Sequence, residues 1–256
     1  MCFDDDSHPP MPLSNGSTAR GEDVALQAAD GSEVKAFLAT SGGPVVGQVV
    51  ILPDVRGLHD FYRELALRFA DVGTRAIVVD YFARSAPDDM RDDSFDYMPH
   101  VEQMTTDTFQ QDLAAAVGRL RAGEGTDVPT YTVGFCMGGS LSFYAGTLGL
   151  GLQGVIGFYA GLTRSRGAVT PVLGFAERIE SPLLGLFGGA DQGIPQADLD
   201  RLDETLDRSG LEHEIVVYPG APHSFFDKKA AEFATASADA WSRIQGFIAD
   251  HGAVRV

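Results

Sequence analysis

Tyr131-Thr132-Val133-Gly134-Phe135-Cys136-Met137-Gly138-Gly139-Ser140-Leu141 is the stretch whose reading decides the fold. A β-branched and aromatic run reads as a strand; a glycine-flanked cysteine follows it, and an apolar segment opens a helix behind the cysteine. The pattern is that of a G-x-S-x-G nucleophile elbow with cysteine in the serine place. Such an elbow is a strained strand-to-helix turn, and side chains at its flanking positions would collide with neighbouring backbone, so glycine is required there. A helix beginning at Cys136 also turns its positive end toward the sulfur, which favours thiolate. The plainer reading is a buried cysteine beside a glycine-rich turn, and the strand, elbow and helix context argues against it.

Working outward, short apolar or β-branched runs recur at Val24 to Leu26, Val34 to Leu38, Val45 to Leu52, Ala76 to Val79, Val155 to Phe158, Leu183 to Phe187 and Ile215 to Tyr218. Helical periods lie between them: Leu65, Phe69 and Val72, closed by Gly73; Phe109, Leu113, Val117 and Leu120; Leu199, Leu202 and Leu206 after Pro195; and Phe233 to Ile248. Uninterrupted apolar strands alternating with helices predict an α/β fold with a mostly parallel central sheet and helices on both faces. The first two strands, turned at Asp30-Gly31, predict an antiparallel N-terminal edge. Residues 1–21 are rich in Pro, Ser, Asp and Gly and read as an extended arm, leaving 22–256 as one domain. Two long stretches, Ala83 to Thr106 and Gly161 to Glu180, read as functional loops at the carboxyl edge of the sheet.

The composition narrows the function. The chain has 256 residues, 44% of them hydrophobic, and a net charge of −17 with no basic cluster, which excludes disorder and argues against nucleic acid or an anionic membrane as partner. Two cysteines, Cys2 and Cys136, make no disulfide framework, and the acidic N-terminus does not resemble a signal peptide, so a soluble cytoplasmic protein is expected. Cys2 reads as a bystander in a frayed terminus. No metal-ligand spacing, P-loop or dinucleotide fingerprint appears, so no cofactor and no metal are expected.

A thiol nucleophile needs a base and an orienting acid, which α/β-hydrolases place after the nucleophile in the order acid, then histidine. Gly188-Gly189-Ala190-Asp191 follows one strand run and Pro219-Gly220-Ala221-Pro222-His223-Ser224-Phe225 follows the next. Asp191 is thus expected to orient His223, which exchanges a proton with Cys136. The alternative for Asp191 is a capping or turn carboxylate before Ile194-Pro195. His8, His100, His213 and His251 read as solvent-facing, and His59 as a surface helix cap.

Here the sequence resembles the dienelactone hydrolase, or carboxymethylenebutenolidase, family of α/β-hydrolases from about Asp23 to Ile248. The resemblance rests on Leu52-Pro53-Asp54-Val55-Arg56-Gly57, Asp80-Tyr81-Phe82-Ala83-Arg84, the Gly-Phe-Cys-Met-Gly-Gly elbow, Gly-Gly-Ala-Asp and Pro-His-Ser-Phe. It implies an α/β-hydrolase fold, a Cys136, His223, Asp191 triad, and an oxyanion hole from the backbone N–H groups of Met137 and Val55. It also implies hydrolysis of an activated ester or lactone through a thioester acyl-enzyme, on a small-molecule substrate. A monomer or homodimer is expected. Asp54 stands where the family typically has a thiol-contacting glutamate. Arg84 matches one of two arginines that bind the substrate carboxylate, its other reading being a pair with Asp80 or Asp88. Near the second arginine's place the chain has Asp227 and Lys228. Tyr81, Phe82, Phe95, Tyr97, Tyr159 and Phe225 or Phe226 are candidates to line an apolar pocket, and Arg164 and Arg166 to bind an anion. The rival functions are a general esterase or thioesterase of the same fold and a non-catalytic thiol redox or binding protein.

Overall fold

The structure is a computed structural model that describes residues 6–87, 91, 92, 94–124, 127–165 and 170–252. Cys2, Asp88 and Arg166 lie outside the described residues. Eight strands, β1 (Arg20–Gln27), β2 (Glu33–Thr40), β3 (Gly47–Leu52), β4 (Thr74–Val79), β5 (Thr130–Phe135), β6 (Gly154–Phe158), β7 (Leu183–Gly188) and β8 (His213–Tyr218), form one sheet in the order β1-β2-β4-β3-β5-β6-β7-β8. β1 with β2 and β2 with β4 are antiparallel, and every other pair is parallel. The expected antiparallel N-terminal edge is therefore present, and Gly31 turns it with φ 84°.

Every residue of β3, β5, β6 and β7 is buried, as an apolar strand covered on both faces must be. The cover comes from α1 (Asp60–Asp71), α3 (Thr106–Glu124), α4 (Met137–Ala145), α5 (Gln196–Ser209) and α6 (Ala234–Asp250). Phe69 of α1 meets Trp241 of α6 edge-to-face at 4.8 Å on one side of the sheet, while Phe109 of α3, Tyr144 of α4 and Phe175 form a chain of ring contacts that joins the helices of the other side. Within the first long loop lies a short helix, α2 (Met98–Gln103), that no sequence pattern predicts. Its single buried side chain, Val101, gives no helical period to detect. The second loop holds two one-turn 3₁₀ segments, Val172–Gly174 and Ala176–Arg178.

Residues from the N-terminal arm run along α1. His8 pairs with Glu64 at 2.9 Å, Arg68 Nε donates to Met11 O at 2.5 Å, and the Ser14 amide and hydroxyl donate to Asp71 at 2.7 and 2.8 Å.

Register is what positions the site. Leu52 is level with Gly134, Phe135 with Phe158, Phe158 with Leu186, and Gly188 with Tyr218. The carboxyl ends of β3, β5, β6, β7 and β8 thus reach one edge together. The residues just beyond them, Asp54, Cys136, Tyr159, Asp191 and His223, emerge there side by side.

Candidate active site

The elbow is built by backbone contact. Cys136 sits between β5 and α4 with φ 55° and ψ −112°. A Cβ on Gly134 would come within 1.9 Å of Gly138 O, one on Gly138 within 2.1 Å of Leu52 O, and one on Gly139 within 2.7 Å of Phe158 O. No side chain fits at these three positions without moving backbone, so the glycines let α4 start directly against β3 and β6. The described residues with positive φ other than glycine are Cys136, Tyr159 (36°) and Ser224 (63°). All three stand at this edge, the distribution expected when local strain is held at a functional site.

The acid and histidine loops are stitched together. Ala190 N donates to Ala221 O at 2.9 Å and Gly189 N to Tyr218 O at 2.8 Å, while a Cβ on Gly188 would meet Ala221 O at 2.4 Å. Asp191, buried, divides its carboxylate. One oxygen accepts from Gly193 N at 2.8 Å and the other accepts the Nδ1 proton of His223 at 2.6 Å. Both readings of Asp191, turn carboxylate and imidazole partner, are thus realised by different oxygens. With Nδ1 committed to the acid, Nε2 of His223 remains for proton exchange.

Cys136, Met137, Tyr159, Asp191 and His223 line one cavity of about 280 Å³. Ser140, Gly161, Arg164, Gly193 and Ile194 complete it. The reading of the sequence did not single out Ser140, Gly161, Gly193 or Ile194. Ser140 had a signal, since it lies four residues beyond Cys136 and so on the same face of α4. Arg164, exposed on the second long loop, is the one lysine or arginine among these lining residues. Val55 is buried and does not line the cavity. Neither the Val55 nor the Met137 amide N–H donates to an acceptor among the described residues. Met137 is at the first position of α4, where a backbone donor has no intrahelical partner.

Arg84 is the expectation to correct. Its guanidinium is held in bonds to Asp112 (2.6 and 3.0 Å), Asp30 (2.6 Å) and Ser32 (2.7 Å), and it does not reach the cavity. Of the two anticipated carboxylates, Asp80 pairs instead with Arg91 at 2.8 Å, and Asp88 lies outside the described residues. Most of the candidate aromatics are core as well. Tyr81 donates to the Pro53 and Asp54 carbonyls, Phe82 packs on Phe95, and Phe225 and Phe226 are wholly buried. Among those aromatics, only Tyr159 lines the cavity. His59 does cap α1, accepting from Phe61 N, but is buried rather than on the surface.

Asp54 and Asp227 are buried acids behind the cavity wall. Asp54 Oδ1 accepts from Arg56 N at 3.0 Å. Asp227 accepts from the Tyr159 hydroxyl and the Lys228 amide. Burial is the main cause that pushes the Asp227 carboxyl up to about 7; the neighbouring Asp54 adds to the rise, and the bonds from Tyr159 and Lys228 oppose it. Lys228 is exposed. Among the described residues no group of three or more His, Cys, Asp or Glu is arranged to hold a metal ion.

The profile of the dienelactone hydrolase family matches residues 34–252, which spans strands β2 to β8 and all five elements of the candidate site. The chain belongs to the dienelactone hydrolase family. A relative from Methylorubrum extorquens, provisionally named carboxymethylenebutenolidase, is 27% identical over 227 residues, covering 84% of this chain and 75% of its own. One from Escherichia coli with the same provisional name is 28% identical over 217 residues, covering 83% and 79%. A crystal structure of a provisionally named dienelactone hydrolase from Klebsiella pneumoniae superposes with a TM-score of 0.80 at 22% identity, covering 90% of this chain and 98% of that one. Among solved structures this likeness identifies the fold, the α/β-hydrolase sheet with its antiparallel edge.

Proposed function

We propose that this member of the family is a cofactor-independent hydrolase of activated esters or lactones with a Cys136, His223, Asp191 triad. The observation that carries the reading is that the strained elbow cysteine and the Asp191-bound imidazole line the same cavity. Cys136 gives its thiol proton to His223 Nε2 and its sulfur attacks the acyl carbon. The carbonyl oxygen becomes the oxyanion, received by the Met137 amide at the cavity wall. Collapse breaks the bond to the leaving oxygen, which takes the proton from His223, and a thioester remains. Water then gives a proton to His223, attacks the thioester, and Cys136 leaves with that proton as the acid is released. Asp191 holds the imidazole in the right tautomer and stabilises its cation.

A thiol nucleophile suits enol lactones, thioesters and aryl esters better than amides, whose leaving groups need strong protonation. Among these, the placement of Arg84 favours substrates that need no carboxylate anchor at that residue, and so an esterase or thioesterase activity over dienelactone turnover. A cytoplasmic setting, where a lone thiol stays reduced, fits the same reading. Among the described residues no helix is long and apolar enough to cross a membrane.

Hydrolysis of p-nitrophenyl acetate by wild type, Cys136→Ala and Cys136→Ser tests the mechanism. The alanine variant should lose at least about 10³-fold in kcat, and acid-quenched wild type should carry one acetyl group on the Cys136 peptide by mass spectrometry. Cys136→Ala turning over at the wild-type rate would refute the assignment. Comparing kcat/KM for a dienelactone with that for its neutral ester decides the substrate class.

A further inference from the structure

Of the three strained residues at the sheet edge the triad includes only Cys136, which leaves Ser224, next to His223, and Tyr159. Its main chain is fixed by a bond from its amide to Leu186 O at 2.8 Å, and its ring lies 4.7 Å from the His223 imidazole, tilted by 50°. Its hydroxyl donates to Asp227 Oδ2. Asp227 lies four residues beyond His223 in a tight turn, where the Asp227 and Lys229 amides both donate to Ser224 O at 3.3 and 3.0 Å. The residue that closes this turn onto His223, Ser224, is itself the third strained position. The imidazole is therefore bracketed: Asp191 holds its Nδ1 edge and the Tyr159 ring lies against it, with Asp227 holding that ring from behind.

We propose that Asp227, acting through Tyr159, is a positioning residue for His223, one that fixes the imidazole against the cavity wall and tunes how tightly it holds a proton. The proposal rests on the triad reading for its bearing on turnover. The groups that face Asp227 are few among the described residues. Asp54 comes from the loop after β3, Tyr159 from the end of β6, and His223 from the same loop as Asp227. From α6, Ser237 bonds Phe225 O, and the acid of that helix near β8, Asp239, is occupied by Tyr218 and Arg243. Asp227 and His223 act on each other electrostatically in a buried setting, so the charge of one enters the proton affinity of the other. When Asp227 is neutral, the carboxylate bonded to Nδ1, Asp191, stabilises the His223 cation without a contribution from Asp227. When Asp227 ionises, a second negative charge strengthens the imidazolium and opposes negative charge on the sulfur and the acyl oxygen. Since burial places that ionisation at about 7, the change falls within the range where such an enzyme works.

The test is an NMR titration of the His223 imidazole in wild type, Asp227→Asn and Tyr159→Phe, with the rate of Cys136 alkylation by iodoacetamide followed over the same pH range. Wild type should show a second inflection near pH 7. Asp227→Asn should titrate in one step with its midpoint lower by about 0.5 pH or more. Tyr159→Phe keeps the ring but removes the hydroxyl bond that holds the Asp227 carboxyl down, so its second inflection should move to higher pH. A simple packing role for the pair would move none of these curves. Superimposable curves for wild type and Asp227→Asn would overturn the proposal. If Asp227→Asn fails to fold, the Tyr159→Phe curve decides alone, and an unshifted second inflection overturns the proposal equally. The readouts do not depend on ester turnover: a Cys136→Ala variant that still hydrolyses ester would sink the triad reading while leaving the coupling measurable.

Discussion

Gly138→Ala puts the architecture of the site to its sharpest test, because one methyl group is aimed at the seam between β3 and the elbow. A Cβ there would stand 2.1 Å from Leu52 O, 2.2 Å from Pro53 O and 2.7 Å from Leu52 C, all main-chain atoms with no side-chain torsion to absorb the overlap. To restore van der Waals contact, the first turn of α4 and the end of β3 must part by roughly 1 Å. Overpacking of this kind sits at the upper end of its usual range, about 3 kcal/mol. For a domain of this size that corresponds to a melting temperature lower by roughly 6–12 °C. The same separation moves the Met137 amide away from the loop that carries Val55, and a displacement of about 1 Å at reacting groups costs on the order of 10²-fold in rate. Differential scanning calorimetry and kcat/KM for p-nitrophenyl acetate measure both effects. Gly118→Ala is the internal control: Gly118 is exposed in α3, nothing lies within 4 Å of a Cβ there, and the variant should gain about 0.5–1 kcal/mol with unchanged activity. If Gly138→Ala melted within about 2 °C of wild type and kept its rate within about threefold, the claim that close backbone contact makes the elbow would be wrong.

Arg84→Ala should destabilise the fold by about 3 kcal/mol in urea titration, because it leaves the Asp112 carboxylate, 1% exposed, without its cation. The activity of the folded fraction should stay within about threefold of wild type, and a selective loss toward carboxylate-bearing substrates would show that Arg84 does serve the site. Asp191→Asn should lower kcat by roughly 10⁴-fold with KM little changed, since the Nδ1 bond that fixes the tautomer is lost; an unchanged kcat would remove Asp191 from the triad. Asp227 also gives the stability curve a direction. Its native carboxyl binds a proton up to about pH 7 while the unfolded chain releases it near 3.8, so native protein holds the extra proton between those values and stability falls as pH rises through that window. Asp227→Asn should therefore be more stable than wild type at pH 8, by at most about 4 kcal/mol, with the difference closing toward pH 4; equal denaturation midpoints at both pH values would contradict this.

What the sequence discloses and what it withholds follow the range of the interactions involved. The elbow, the eight strand runs and the placement of Asp191 and His223 after consecutive strands are local patterns, and each lies where its pattern points. The Asp191–His223 bond was foreseeable because the parallel register of β7 and β8 brings the two loops level. Arg84 was not, since its partners Asp30 and Asp112 lie 54 and 28 residues away in sequence and nothing local marks them. Tyr159 belonged to a set of aromatics that composition cannot sort into core and cavity, and only the end of β6 places it against His223. α2 escaped detection because a six-residue helix with one buried side chain and a proline in its first turn has no amphipathic period.

The Arg84 cluster has a kinetic side. One guanidinium joins the tip of the β1–β2 hairpin, the segment after β4 and the middle of α3, so its bonds form only when the antiparallel edge has docked on a sheet that already carries α3. Contacts that close only after the folding transition state act on the rate at which a native protein opens, and the long sequence separations of these bonds put them in that class as a prediction. Arg84→Ala should accelerate unfolding in stopped-flow measurements with the refolding rate unchanged. That outcome would mean the cluster governs how long a folded molecule lasts rather than how quickly one is made.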